Sequence, residues 1–446
     1  MRDQNAPPRR QSPPKQIRKV KPADIALPPG YRIEVFAAGL TTPINIMFAA
    51  DGTMLAADAG VTSGSGKVLQ LTKQGFETMA AGFNPPLTGI NEYQGNIYVA
   101  HRGAITVIKR DGTRENILAG LPSWGDHHNN RMVFGPDGKM YFGQGTATNS
   151  GVVGEDNRWA VRYPSFHDIP GAPLTLTGQN FTTKNFLAAA PYELASTGAF
   201  SPYGVSTRPG EVVTGAGAAS GSILRANPDG SRLELVAWGL RNPFRIRFDR
   251  RNRLYAANHG MDVRGSRPVA NAPDEFQLIV PGMWYGWPDY SGGLPVTSPL
   301  FKPEGQPQPA FLLAHPPMQP PRPFVNFTPH AAAMGFDFND HPGFAPLGDA
   351  FIAEFGAEAP GTTGGELLPG VGHRISRIEM RTGKKTPFAI NKSGFAASQT
   401  GGGGLERPID VLFGPDGAMY VADFGQSEGE SGWIPGSGVI WRIVRE

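Results

Sequence analysis

Residues Trp124–Gly145 read WGDHHNNRMVFGPDGKMYFGQG. The second half, Met132–Phe142, places apolar runs on either side of Gly135-Pro136-Asp137-Gly138. That pattern predicts two short strands joined by a tight turn. The first half packs Asp126, His127, His128, Asn129 and Asn130 just ahead of the first strand. Asp and Asn favour turns because their side chains bond nearby backbone. A histidine at the start of a strand is also rigidly held, as a general base must be.

The strand–turn–strand phrase recurs along the chain. Its copies are Pro43–Gly60, Gly89–Gly103, Arg131–Gly145, Pro243–Gly260, Met334–Gly356 and Pro408–Gly425, the last reading PIDVLFGPDGAMYVADFG. A further strand-like run follows each: Lys67–Thr72, Ala104–Arg110, Ser222–Ala226, Glu275–Val280, Arg374–Met380 and Val439–Val444. One such unit cannot bury both of its faces alone, whereas units packed round an axis bury them against each other. Six copies, at a spacing that starts near about 40 residues, predict an all-β fold, a six-bladed β-propeller. Tyr31–Phe36 is expected to complete the last blade and close the ring. The spacing stretches at two long loop insertions, residues 149–217 and 288–329, which are rich in Gly, Pro and aromatic residues. Long loops in a compact domain usually carry function, so both are expected to wall one mouth of the channel.

Composition agrees. Gly and Pro are abundant, charged residues make up only 18%, and aromatic residues 10%. Residues 1–26 form a basic, Pro-rich arm that predicts disorder, and residues 27–446 form the propeller. The arm carries a net charge of +5 against +3 for the whole chain, with Arg2, Arg9, Arg10, Lys15, Arg18, Lys19 and Lys21 against Asp3 and Asp24. The folded body is therefore slightly acidic, and a nucleic-acid surface is not expected on it. No apolar run follows Arg9-Arg10, so no signal peptide is read, and no stretch is long and apolar enough for a transmembrane segment. Cysteine is absent, which excludes disulfides, thiolate metal sites, a Cys nucleophile and covalently attached haem.

Polar clusters sit at equivalent points of the repeat: Asp126-His127, Arg241-Asn242 and Glu406-Arg407 each precede a first strand. Singly, each arginine reads as a surface or capping residue; together they point to convergence at one mouth. Asn258-His259-Gly260-Met261 follows the fourth copy, and Asp274-Glu275 comes next. Adjacent acids near loop carbonyls suit a hard cation such as Ca²⁺, or form an ordinary acidic turn. The run Trp284-Tyr285-Gly286-Trp287 reads as core packing or as a platform for a flat ligand.

Taken together, Asp-His before RMVFGPDGKMY, then Gly-Leu-Arg-Asn-Pro at 239–243, then Asp274-Glu275 and Tyr-Gly-Trp-Pro at 285–288, resemble the soluble glucose/sorbosone dehydrogenase family. The resemblance runs from about Leu27 to the C-terminus and is nearer the sorbosone branch in Gly335–Gly356. It implies a six-bladed propeller that uses pyrroloquinoline quinone (PQQ) and Ca²⁺ to oxidise a sugar, sugar aldehyde or polyol, passing electrons to an external acceptor. It also implies an exported, periplasmic or secreted protein. Carried onto this chain, it makes His127 the general base, Asp126 its orienting partner and Arg241 the group facing developing negative charge. Asn242, Arg407 and His259 would hold the cofactor, with Asp274 beside it. Glu275, the carbonyls of Gly260 and Met261, and Tyr285 would bind Ca²⁺. The chain departs from the family in three places. His259 stands for a glutamine, Gly143-Gln144-Gly145 for Gly-Asp, and Glu354 and Glu358 occupy the stretch where a basic residue is expected. Two other readings suit the same residues: a Ca²⁺-dependent, lactonase-like propeller hydrolase, and a non-catalytic propeller that binds glycans or a partner.

Overall fold

The computed structural model describes residues 18–189, 192–357, 370–429 and 432–446. Six antiparallel sheets form the blades, and the helical segments among the described residues are short 3-10 turns. Each predicted phrase supplies the first two strands of a blade. The first strands are Pro43–Phe48, Leu87–Tyr93, Asn129–Phe134, Pro243–Phe248, Ala333–Phe338 and Pro408–Phe413. Each packs against the first strand of the next blade, and the last returns to the first, which closes a ring around the axis. Tyr31–Leu40 pairs with Gly438–Arg445 as the outer strand of the sixth blade, so the ends of the chain close the ring.

The first strands are almost wholly buried, and their third residues face the axis together. These are Asn45, Gly89, Arg131, Arg245, Gly335 and Asp410. Asp410 Oδ2 accepts from Asn45 Nδ2 at 2.6 Å and Ile46 N at 3.1 Å, and its Oδ1 is paired with Arg245. Two glycines in this layer are a packing requirement: a Cβ on Gly89 would collide with the Arg131 side chain, and one on Gly335 with Asp410. The layer forms a polar plug between the two mouths of the channel.

Two sequence expectations need adjustment. Residues 18–26, read with the arm, are folded: Ile25–Ala26 adds an edge strand to the fifth blade. Arg18 is buried, 2.6 Å from Asp423, and donates to the carbonyls of Gly404 and Ser437. The more N-terminal part of the arm lies outside the described residues. The insertions also hold more structure than their composition suggests. The first carries the hairpin Asn180–Lys184/Leu194–Gly198, and Val325–Asn326, at the end of the second, is the outer strand of the fourth blade. They pack on each other through Thr177 N to Leu312 O at 2.9 Å and Ala314 N to Thr175 O at 2.9 Å. Beneath them lies an apolar cluster that includes Val152, Phe200, Phe301 and Leu312. Trp284 and Trp287 belong to that cluster, so the aromatic run is core. No helix among the described residues is long and apolar enough to cross a membrane.

Candidate active site

At the mouth where the first strands begin lies a cavity of about 290 Å³. Its polar wall holds Asp126, His127, Arg241, Asp262 and Arg264, and its apolar wall Phe244, Met334 and Phe355. Two of the three predicted clusters therefore converge. Asn242, His259, Gly260, Met261 and Asp274 line the same cavity.

His127 is fixed by the strand that follows it. Its Nδ1 lies 3.0 Å from the Thr146 carbonyl and 3.1 Å from Thr146 Oγ1. A carbonyl only accepts, so Nδ1 carries the proton and Nε2 keeps its lone pair. Nε2 makes no hydrogen bond among the described residues. Desolvation, with Arg241 and Arg264 nearby, holds the pKa well below the ordinary imidazole value, so the ring is neutral near pH 7. Gly145 is required here, since a Cβ would strike the Cβ of His127. The Thr146 turn is anchored by buried Asp168, which accepts from Ala147 N at 2.6 Å and from Thr148 Oγ1 at 2.5 Å. Burial pushes the Asp168 carboxyl up to about 7.

Asp126 does not orient His127, which corrects the expected dyad. Its Oδ1 accepts from Asn157 Nδ2 at 3.0 Å and Trp159 Nε1 at 2.9 Å, and its Oδ2 lies 2.6 Å from Arg264. Arg264 also meets Asp156 at 2.5 Å and Asp262 at 3.4 Å. Burial opposes the Arg264 charge, but Asp126, Asp262 and Asp156 outweigh it and raise its pKa. Arg241 gives Nη2 to Asp262 at 2.6 Å and Asn149 Oδ1 at 3.1 Å, and Nε to the Asn149 carbonyl at 3.1 Å. Its Nη1 has no hydrogen bond among the described residues. Neither insertion lines the cavity, contrary to expectation. The first braces it from behind, through Asn149 on Arg241, Asp156 on Arg264, and Asn157 and Trp159 on Asp126, and the second reaches only the small hole beside it, through Tyr290 and Ser291.

Asn242 and His259 are also engaged with the protein. Asn242 Oδ1 accepts from Asn130 Nδ2 at 3.0 Å, its Nδ2 meets His259 Nδ1 at 3.1 Å, and His259 Nε2 donates to Ala333 O at 3.0 Å. What His259 offers the cavity is a ring face, stacked near-parallel on Phe244 at 18°. Asp274 bridges blades, accepting from Gly260 N and Ala333 N at 2.8 Å each. Arg407 does not line the cavity; it sits behind Phe355, 5.3 Å from the ring centre. Glu354 turns into its blade, 2.5 Å from Ser376 Oγ and 3.5 Å from Lys385, and so does not face the cavity. Glu358 lies outside the described residues.

Beside the cavity is a hole of about 10 Å³, the space of one water or ion. Glu275, Gly260, Met261 and Tyr285 all line it, together with Arg241 and His259 from the larger cavity. Among the described residues no hydrogen bond reaches the carbonyl oxygens of Gly260, Met261 or Tyr285. The Tyr285 hydroxyl is spent on Leu278 O at 2.7 Å, so only its carbonyl could serve. Glu275 accepts from Asn258 and Gln277 at 3.0 Å and from Gly292 N at 2.7 Å, leaving lone-pair capacity for one more partner. Burial raises its pKa, against the hydrogen bonds from Gln277, Gly292 and Asn258. One carboxylate plus unpaired carbonyls is an oxygen donor set for Ca²⁺. Among the described residues no cluster of three or more His, Asp or Glu side chains provides an alternative. The cavity in turn fits a flat, electron-accepting anion: it offers an aromatic face, a free guanidinium edge on Arg241 and a bare imidazole nitrogen.

Sequence reasoning missed Asp262, Arg264, Thr146 and Asn149. The run Met261-Asp262-Val263-Arg264-Gly265 was a signal, since it sets opposite charges just after a predicted site loop.

No protein-family model matches the chain. Over 179 residues it is 28% identical to quinoprotein glucose dehydrogenase B of Acinetobacter calcoaceticus, a stretch that covers 40% of this chain and 29% of that protein. Among solved structures, the PQQ-bound aldose sugar dehydrogenase of Streptomyces coelicolor aligns with a TM-score of 0.53 at 16% identity, over 94% of this chain and 99% of that one. The calcium structure of Trichoderma reesei carbohydrate-active enzyme family AA12 aligns with a TM-score of 0.57 at 14% identity, over 97% and 100%. The fold is thus that of these propellers, and the sequence is similar to a quinoprotein glucose dehydrogenase.

Proposed function

We propose that the chain is a PQQ- and Ca²⁺-dependent oxidoreductase that oxidises a sugar, sugar aldehyde or polyol and passes electrons to an external acceptor. The observation that carries this reading is His127. Its protonated Nδ1 is locked on the Thr146 carbonyl and its bare Nε2 shares a cavity with the free Nη1 of Arg241. Similarity to quinoprotein glucose dehydrogenase B supports the same reading, as do the PQQ-bound and calcium structures of propellers of this fold. The sequence resemblance to the glucose/sorbosone dehydrogenase family favours a periplasmic or secreted location.

When bound, PQQ supplies an electrophilic carbonyl that accepts hydride from the carbon being oxidised. The protein's part is proton transfer, orientation and charge. His127 Nε2 takes the hydroxyl proton of the substrate, and the Thr146 carbonyl supports the resulting imidazolium. Arg241, held in place by Asp262 and Asn149, would stabilise through Nη1 the negative charge that collects on the cofactor. The ring face of His259 on Phe244 provides a flat surface, and Glu275 with the carbonyls of Gly260, Met261 and Tyr285 would hold Ca²⁺.

The test is dye reduction by the purified full chain across aldoses, polyols and aldehydes, with and without added PQQ and Ca²⁺. Turnover that requires both supports the reading. Hydrolysis of a lactone without quinone, or no turnover together with no PQQ-dependent change in absorbance or melting, overturns it.

A further inference from the structure

The far side of the polar plug has its own opening. A cavity of about 380 Å³ lies at the mouth where the first strands end, opposite the candidate active site. Its walls are Met47, Phe48, Val133, Phe134, Phe248, Leu412 and Phe413, with Arg131, Arg247, Asn91 and Glu92 as its polar members. None of these serves the site described above.

Charge in the plug does not balance. The axial layer holds two guanidiniums, Arg131 and Arg245, and one carboxylate, Asp410. Arg245 takes Asp410 as its partner. Arg131 is left with its Nη1 3.7 Å from Asp410 Oδ2, beyond hydrogen-bond distance. No nitrogen of its guanidinium donates to protein among the described residues, and its Nε is fully buried without a partner. The residue is 4% exposed. The next layer offers no help, because Arg247 Nε and Asp337 Oδ1 pair with each other at 2.6 Å. Glu92 stands at the rim and accepts from Ala50 N at 2.6 Å. Arginine does not shed its proton in proteins, so a buried guanidinium that shares one carboxylate, at 3.7 Å, with a closer arginine leaves the layer one counter-charge short. Water could satisfy the N–H groups but could not neutralise them.

We propose that this mouth is an anion site in which the Arg131 guanidinium binds one small monovalent anion, a halide or a carboxylate of acetate size. The single excess positive charge and the Glu92 carboxylate at the rim set the valence, and discriminate against sulfate or phosphate. Apolar walls keep the anion partly desolvated, which strengthens its attraction to the guanidinium. The site acts on the scaffold, since the anion would complete the charge balance of the layer that joins all six first strands.

The experiment is thermal unfolding of the full chain in chloride, acetate or sulfate, with isethionate holding ionic strength constant, for the wild type and Arg131→Met. The expected result is a rise in wild-type Tm that saturates with chloride or acetate, whichever the site accepts, and that is absent in sulfate and in the variant. Met fills the arginine's space without its charge, and such replacements are commonly tolerated. If the variant does not fold, wild-type crystals grown in bromide decide the matter, through an anomalous peak beside Arg131. A melting response that is equal for all anions or unchanged in Arg131→Met, or crystals that hold only water there, would overturn the proposal.

Discussion

Arg267 is the residue whose removal should most clearly separate the scaffold from the apparatus built on it. Its guanidinium is buried and donates to Ser150 O at 3.1 Å, Pro288 O at 3.0 Å, Ala310 O at 2.7 Å and Asp289 Oδ1 at 2.8 Å. Ser150 lies in the first insertion; Pro288, Asp289 and Ala310 lie in the second. Arg267→Met would strand Asp289 with only the backbone N–H groups of Leu312 and Leu313, and leave carbonyls of both insertions unpaired. Breaking a buried ion pair from one side costs about 3–5 kcal/mol. Because none of these contacts belongs to the blade sheets, the loss should fall on local opening of the insertions rather than on global unfolding. At about 1.4 kcal/mol per factor of ten, amides around 149–151 and 310–313 should lose roughly two to four orders of magnitude of hydrogen-exchange protection. Amides of Pro43–Phe48, in the first blade, should keep theirs. Hydrogen exchange read by mass spectrometry makes the comparison. Equal loss in both regions, or none in either, would refute the division into blades and braced insertions. Activity should fall with the local opening, because Asn149, next to Ser150, holds both Nε and Nη2 of Arg241.

Three other outcomes follow from the site. His127→Asn should lower kcat by about 10²–10⁴-fold with PQQ binding retained; in the wild type the acid limb of the rate should lie below the ordinary imidazole range, because a lowered pKa keeps the base neutral to lower pH. Asp168 has a folded pKa raised to about 7, so its contribution to stability is present at lower pH and lost as pH rises through that value. Asp168→Asn should thus gain on the wild type as pH rises from about 4 to about 7, by up to about 4 kcal/mol and with no further gain above that, and comparison of melting curves across pH checks the window. Glu275→Gln should abolish the Ca²⁺-dependent rise in Tm while the apo-protein melts close to the wild type, and an unchanged Ca²⁺ response would remove Glu275 from the ion site.

The fold was legible because a propeller writes its period into the chain. Every first strand ends near a turn, such as Gly135-Pro136-Asp137-Gly138, where a backbone of special conformation is needed, and apolar residues flank it on both sides. The axial layer was equally present in the sequence, at the third residue of each first strand, but its meaning depends on six strands meeting. Arg131 and Arg245 look like polar intrusions into apolar runs until Asp410, Asn45 and two glycines are seen at the same height. Boundaries within the insertions were not legible. Their strands pair with residues far away or with each other, and Pro-rich composition hides a two-residue strand such as Val325–Asn326.

The candidate site was legible in its positions and not in its pairings. Asp126, His127, Arg241, Asn242 and the loop His259–Met261 meet because equivalent points of a repeat share a mouth. Adjacency in sequence then suggested that Asp126 serves His127. It does not, because at a strand entry consecutive side chains point apart, and the chain supplies each with its own partner from downstream. His127 finds Thr146 across its own hairpin, while Asp126 finds Asn157, Trp159 and Arg264. The blades therefore set the directions of the reactive groups and the tautomer of His127, and the first insertion supplies the contacts that hold Asp126, Arg241 and Arg264. Variation in residues 149–168 can retune His127 and Arg241 without touching the cavity wall. The Glu354 departure carries little chemical weight by the same argument: a carboxylate directed into its own blade, against Ser376 and Lys385, leaves the field in the cavity to Arg241, Arg264 and their three aspartates.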